Sequence, residues 1–257
     1  MPQQHQDLIV DQFTRQATPF STAGTIANED ALRLLMTWAG AGPDDTLLDV
    51  GCGGGLVVCA FAEVVRHATG IDLTPAMLDH ARALATRKGL TNVTWDQGNV
   101  LPLPYPDASF TLVTARFTFH HFLDPLGVLR EMRRVCVPGG CVLVADTDAS
   151  LDPAKAAEFN RMEMLRDPSH VRAMPAGELQ ELFRASGLGE PRMTSYELRD
   201  TLDNLLKRSF PNPGDDVRIR EMFAASLVDD RLGIPLRREG ETMHYAYPVA
   251  VLAAQRN

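Results

Sequence analysis

The chain of 257 residues predicts an α/β fold, a mostly parallel sheet with helices on both faces. Two observations predict it. Short β-rich runs alternate with longer helical stretches, the rhythm of βαβ units. The runs "TLLDV", "ATGIDL", "VTWDQG", "SFTLVTA" and "GCVLVAD" are also apolar almost throughout, as strands covered on both sides are. A third observation marks where a ligand meets this sheet. In "LLDVGCGGGLV" the first run stops at Asp49 and gives way to four glycines within five residues. Such glycines cost backbone entropy and bury nothing inside an element. They are expected at the turn beyond the strand's carboxyl end, where an open parallel sheet binds its ligand.

Taken in order, residues 1–44 form an N-terminal cap of two helices, "HQDLIVDQFTRQA" and "NEDALRLLMTWAG". After the first strand, helix amides starting near Gly55 face the ligand. The second strand ends at Asp72, and Thr74 with Pro75 supplies a cap and first-turn proline to the helix "AMLDHARALATRKG". The third strand leads into "GNV", and the fourth into a loop ending at Asp124 and Pro125, where "PLGVLREMRRVCVPGG" starts a helix stopped by glycine. Beyond the fifth strand the rhythm changes. Residues 151–240 hold the helical segments "PAKAAEFNRMEMLRD", "PAGELQELFRASG", "DTLDNLLKR" and "DDVRIREMFAASLV" around one strand-like piece, "PRMTSYEL". Residues 241–257 close the chain with the strand "TMHYAYPVAVLAA". With no repeat or low-complexity linker, residues 1–257 are expected as a single domain, in which a helical lid over 151–240 covers a core at 45–147.

The net charge of −8, with no run of Lys or Arg, argues against nucleic acid and against an anionic membrane surface as partners. The expected partner is a small molecule. No window approaches the roughly 20 apolar residues of a membrane span. The N-terminal "MPQQHQDLIVDQF" lacks the basic and apolar segments of a leader. A soluble, cytoplasmic protein, monomer or homodimer, is expected. Cys52, Cys59, Cys136 and Cys141 show no C-x-x-C spacing and sit in apolar or glycine-rich surroundings, so they are expected as reduced core residues.

At the glycine turn, Asp49, Gly51, Gly53 and Gly55 make a D-x-G-x-G-x-G pattern. A dinucleotide site would want G-x-G-x-x-G, and Leu56 stands where its last glycine belongs. That counts against a pyrophosphate ligand and a nicotinamide-dependent oxidoreductase.

Together, "LLDVGCGGG", "GIDLTPAMLDHARA", "GNVLPLPYPDASF" and "LREMRRVCVPGGCVLVAD", in that order and spacing, resemble the four motif regions of class I S-adenosylmethionine-dependent methyltransferases. The ubiquinone and menaquinone biosynthesis enzymes and their small-molecule relatives are the nearest group. The resemblance covers residues 45–147. It implies a Rossmann-like, seven-stranded sheet with the last strand inserted antiparallel, and S-adenosyl-L-methionine as cofactor, leaving S-adenosyl-L-homocysteine. It further implies metal-independent transfer of a methyl group to O, N or C of a small aromatic or heterocyclic metabolite of secondary metabolism. A protein of this fold that binds the cofactor for another purpose is the alternative. On this resemblance Asp72 accepts the ribose hydroxyls. Asp49 lies near the cofactor's ammonium end, or merely fixes the glycine turn. Asn99 stands where an aspartate is common, and its carbonyl oxygen can accept from the adenine amino group. Leu73 and Val100 flank the purine or are ordinary core.

The stretch "TARFTFHHFLDP" follows the fourth strand, where relatives place the residues nearest the transferring methyl. It has neither the D-P-P-Y or N-P-P-Y type sequence of nucleic-acid base methyltransferases nor an acidic residue at the strand end to hold magnesium. Of the adjacent His120 and His121, at most one faces the methyl, where it would take a proton from the acceptor. A solvated loop pair is the bland alternative. Arg116 is expected at the cofactor carboxylate, at a substrate oxygen or in a structural ion pair. Phe13, Phe20, Phe117, Met162 and His170, with Met164 and Met174 nearby, are expected to wall an apolar aromatic substrate, against the alternative of helix-cap packing. His244 and Tyr245 are expected in cross-strand structural roles.

Overall fold

The apolar runs form a sheet of strands β1 (Thr46–Val50), β2 (His67–Asp72), β3 (Val93–Gln97), β4 (Phe110–Arg116), β5 (Cys136–Thr147), β6 (Arg192–Thr201), β7 (Leu236–Glu239) and β8 (Thr242–Gln255) in a computed structural model that describes residues 3–21 and 28–257. Their order is β3-β2-β1-β4-β5-β8-β6, with β7 on β8. Pairs from β3 to β5 are parallel. The terminal β8 is antiparallel to both β5 and β6, as expected. Seven strands form this path, as expected, and among the described residues β7 adds an eighth beside it. The run "LRRE" has no apolar alternation of its own and becomes a strand only by pairing with β8 across a tight turn at Gly240 and Glu241.

The helices are α1 (Gln3–Ser21), α2 (Glu29–Ala39), α3 (Leu56–Phe61), α4 (Pro75–Lys88), α5 (Pro125–Val135), α6 (Pro153–Arg166), α7 (Ala176–Ala185), α8 (Leu202–Ser209) and α9 (Asp215–Asp229). Asn28 caps α2 by accepting the N–H groups of Asp30 and Ala31, and Asp124 caps α5 by accepting that of Gly127. Two local readings need correction. α5 ends at Val135, ahead of the glycines, and β5 runs on through "CVPGG". The cause is Pro138, which disfavours helical backbone at Val137 and pushes it to extended conformation. Thr74 makes no side-chain cap on α4. Asp72 takes the Thr74 N–H instead, at 2.8 Å.

Side chains alternate across β1. Leu47 joins the cluster that holds Val58 and Phe61, whereas Leu48 and Val50 join the one that holds Leu129 and Met132. This is the period of two that a sheet covered on both faces requires. All four cysteines are buried and free, and burial raises their thiol pKa values, to about 11 for Cys59 and Cys141. No helix among the described residues is long and apolar enough to cross a membrane.

The parallel strands bring the loops after β1, β2, β3 and β4 to one edge of the sheet. Above that edge α1 packs against α4 and α8. The turn after β1 is closed by Gly55, at φ 78°, where a Cβ would lie 2.6 Å from the Trp95 ring and 2.7 Å from the Ala81 Cβ. Gly55→Ala is therefore expected to destabilise the protein by about 1–3 kcal/mol through overpacking and left-handed backbone strain. A thermal melt showing no loss would contradict this.

Candidate active site

Two cavities meet at this edge. The first, enclosing about 940 Å³ with its open mouth included, lies on the glycine turn and is lined by Asp49, Gly51, Gly53, Asp72, Leu73, Asn99, Val100 and Arg116, among others. The second, about 640 Å³ on the same basis, lies beneath α1, α6 and α8 and is lined by His120, His121, Glu163, Arg166, His170, Tyr245 and Tyr247, among others. Phe13, Phe117 and His121 line both. The structure thus gathers the sequence-predicted residues of the ends of β2, β3 and β4 and of the glycine turn into one continuous site, except Gly55, which lines neither cavity and packs against Trp95 and Ala81.

In the first cavity Asp72 fixes the turn. Its two carboxylate oxygens accept the N–H of Gly53 and of Thr74, each at 2.8 Å. Asp49, the other candidate for that task, instead accepts the Thr114 hydroxyl at 2.7 Å. Burial raises the Asp49 carboxyl to a pKa of about 7, against the hydrogen bond from Thr114 and the charge of Arg116. Among the described residues no Lys or Arg forms an ion pair with it. Asn99 Oδ1 accepts the Leu101 N–H at 3.3 Å. Arg116 Nε donates to the Tyr196 hydroxyl at 3.3 Å, and its guanidinium lies 4.7 Å from the centre of the Phe117 ring. Phe117 has φ 54°. A bulky residue held in that region is an outlier of the kind that clusters at functional sites.

The second cavity is where His120 and His121 diverge. His120 Nδ1–H donates to Asp146 Oδ1 at 2.5 Å, while Asp146 Oδ2 accepts the N–H of Phe119 at 2.7 Å and of His120 at 3.2 Å. One buried carboxylate thereby orients both the ring and the 3₁₀ turn that carries it. Burial alone would lower the His120 pKa, but the charge and hydrogen bond of Asp146 carry it above the ordinary imidazole value. His121 Nδ1–H donates to the Ser169 carbonyl at 3.0 Å, and burial, reinforced by the charge of His120, lowers its pKa to about 4. Neither histidine is a solvated loop residue: both are buried.

Around this cavity the sequence reading needs further correction. Phe13, Phe117 and His170 line it. Met162 lines neither cavity, because it is fully buried in the core. Met174 is likewise core, and Met164 is exposed. The side chain of Phe20 lies outside the described residues. The wall also carries polar groups paired among themselves: Glu163 accepts from Arg166 and from the Tyr247 hydroxyl, and Arg208 donates to the Tyr245 hydroxyl at 2.9 Å. His244 keeps its cross-strand place opposite Arg237 and Thr201, whereas its neighbour Tyr245 faces the cavity. The residue that sequence reasoning missed is Asp146. A signal was present, since an acidic residue closes the fifth apolar run as Asp49 and Asp72 close to the first and second.

Comparisons with known proteins agree with this geometry. Residues 48–144 match the family model described as a methyltransferase domain. YcgJ of Bacillus subtilis, described as an uncharacterised methyltransferase, is 34% identical over 196 residues, which span 76% of this chain and 78% of that protein. The crystal structure of YcgJ has a TM-score of 0.79 to this fold at 29% identity, covering 90% of this chain and 100% of that one. The 2-phytyl-1,4-naphtoquinone methyltransferase of Synechococcus elongatus is 29% identical over 197 residues, covering 68% of this chain and 83% of its own. With its sheet order, its glycine turn and these relatives, the chain belongs to the class I S-adenosylmethionine-dependent methyltransferases.

Proposed function

We propose that the protein transfers a methyl group from S-adenosyl-L-methionine, held in the first cavity, to a small acceptor held in the second, with His120 as general base. The observation that carries this reading is the meeting of the two cavities at Phe13, Phe117 and His121, with the His120–Asp146 pair on the acceptor side. The residues fit the cofactor. A Cβ on Gly53 would meet no protein atom within 4 Å, so the space above the turn is open to a ligand. Asp49 is a buried carboxylate suited to an ammonium group, and each oxygen of Asp72 accepts one amide and keeps a further lone pair for a ribose hydroxyl. Asn99, Leu73 and Val100 border the place for adenine.

When bound, the sulfonium supplies an already activated methyl group, so positioning and exclusion of water account for much of the acceleration. The protein adds a base. Asp146, as a carboxylate, can only accept, which fixes the N–H of His120 on Nδ1 and leaves the Nε2 lone pair to take the acceptor's proton. His121, whose pKa is lowered to about 4, is the weaker base. Phe13, Phe117, Phe159, Tyr245 and Tyr247 around the chamber favour a flat aromatic or heterocyclic acceptor. The reaction is read as metal-independent, since "TARFTF" carries no acidic residue at the end of β4 to hold magnesium.

Methyl-labelled S-adenosylmethionine incubated with the protein and a small-molecule extract should yield a labelled product by mass spectrometry. Cofactor binding without any labelled product would favour a non-transferring role.

A pH dependence follows from Asp49. Its carboxyl, at about 7 in the free protein, must ionise to pair with the cofactor's ammonium, so binding releases a proton below that pH. Affinity for S-adenosylhomocysteine is expected to rise up to about tenfold per unit as pH increases towards 7, then level off. Asp49→Asn should flatten the profile in calorimetric titrations; an unchanged slope would exclude Asp49 as its source.

A further inference from the structure

We propose that the acceptor chamber selects a substrate with at least two neighbouring hydrogen-bond donors, and that His170 reads the donor that is not methylated. This rests on the acceptor side of the proposed methyl transfer. Three imidazoles meet in the chamber, with ring centres 4.3 Å apart for His120 and His121, 5.3 Å for His120 and His170, and 6.4 Å for His121 and His170. Each has one ring nitrogen bound to a group that only accepts. These are the Asp146 carboxylate, the Ser169 carbonyl and the Asn160 amide oxygen, which accepts His170 Nε2–H at 2.8 Å.

The orientation of the Asn160 amide is itself fixed. Its nitrogen donates to the carbonyls of Ala156 and Ala173, and its oxygen also accepts the Ala173 N–H at 2.6 Å. A neutral imidazole has a single N–H. In its neutral form each ring therefore spends that proton on the protein and keeps a bare acceptor: Nε2 of His121, Nδ1 of His170 and, above its raised pKa, Nε2 of His120. For His170, which is 5% exposed, that Nδ1 is buried with no hydrogen-bond partner. Burial, with the charge of His120, lowers its pKa to about 3, so no second proton turns it into a donor near neutral pH.

A buried acceptor left without a donor is costly, and a ligand that offers His170 a donor relieves that cost. One donor on the substrate is the group to be methylated, facing His120. The second, close by, answers His170. A methylated product has one donor fewer and is held less tightly, which assists release.

The test is calorimetric titration of the protein saturated with S-adenosylhomocysteine, using catechol, its monomethyl ether guaiacol and its dimethyl ether veratrole. These probes share a ring and differ in hydroxyl count. Catechol should bind tightest, with affinity falling about tenfold for each donor removed. In His170→Phe the gap between catechol and guaiacol should close, while His170→Gln, which keeps an acceptor, should retain it. Both variants should bind S-adenosylhomocysteine as the wild type does. Equal affinity across the three probes, a gap that survives in His170→Phe, or no catechol binding at millimolar concentration would overturn the proposal. A wild-type protein that binds no S-adenosylhomocysteine would instead overturn the methyl-transfer reading, and the same titration on the free protein still reads the donor preference.

Discussion

Replacing His120 by alanine is expected to lower kcat by about two to four orders of magnitude, the contribution typical of a positioned general base. Affinity for S-adenosylhomocysteine should be unchanged, because His120 lines only the acceptor chamber. The companion variant, Asp146→Asn, separates base from positioning group. Asp146 holds the His120 pKa above the ordinary value, so activity should rise with pH through that elevated pKa as His120 becomes neutral. Without the carboxylate's charge, the acid limb of the profile should move to lower pH while turnover falls. Full activity in His120→Ala would remove the base. An unmoved pH profile in an active, folded Asp146→Asn would remove the positioning role.

The second large effect is expected in Asp72→Ala. This carboxylate ties the glycine turn to the end of β2 through Gly53 and the start of α4 through Thr74. Hydrogen bonds to charged groups contribute about 1.5–3 kcal/mol each, so losing the tie and the ribose contact together should weaken S-adenosylhomocysteine binding by about a hundredfold or more. An analogue without the ribose hydroxyls divides the two causes. If it suffers the same loss in the variant, the effect lies in the collapsed turn alone. Wild-type affinity in Asp72→Ala would refute the assignment altogether.

Much of this was legible because it is local. The period of apolar residues places β1 to β5, Asn28 and Asp124 announce helix starts, and four glycines after Asp49 mark the ligand turn. Local rules also misled where two of them competed. The glycines after "MRRVCVPGG" suggested the helix end, yet Pro138 had already imposed extended backbone. Thr74 looked like a cap, but the Asp72 carboxylate, stronger as an acceptor and two residues back, took the amide.

By itself, then, the sequence determined the parallel sheet, the glycine turn and the acidic strand ends around it, since periodicity and turn chemistry reside in neighbouring residues, and the family resemblance implied the antiparallel last strand. Only the tertiary structure decided which acidic residue does what. The register of β4 on β5, with Arg116 opposite Ala145, is what sets Asp146 against a turn 26 residues earlier in the chain. The packing of α1, α6 and α8 likewise turns Met162 into the core and leaves His170 facing the chamber. Such pairings depend on how elements distant in sequence fit together to bury apolar surface, and no local pattern encodes that fit.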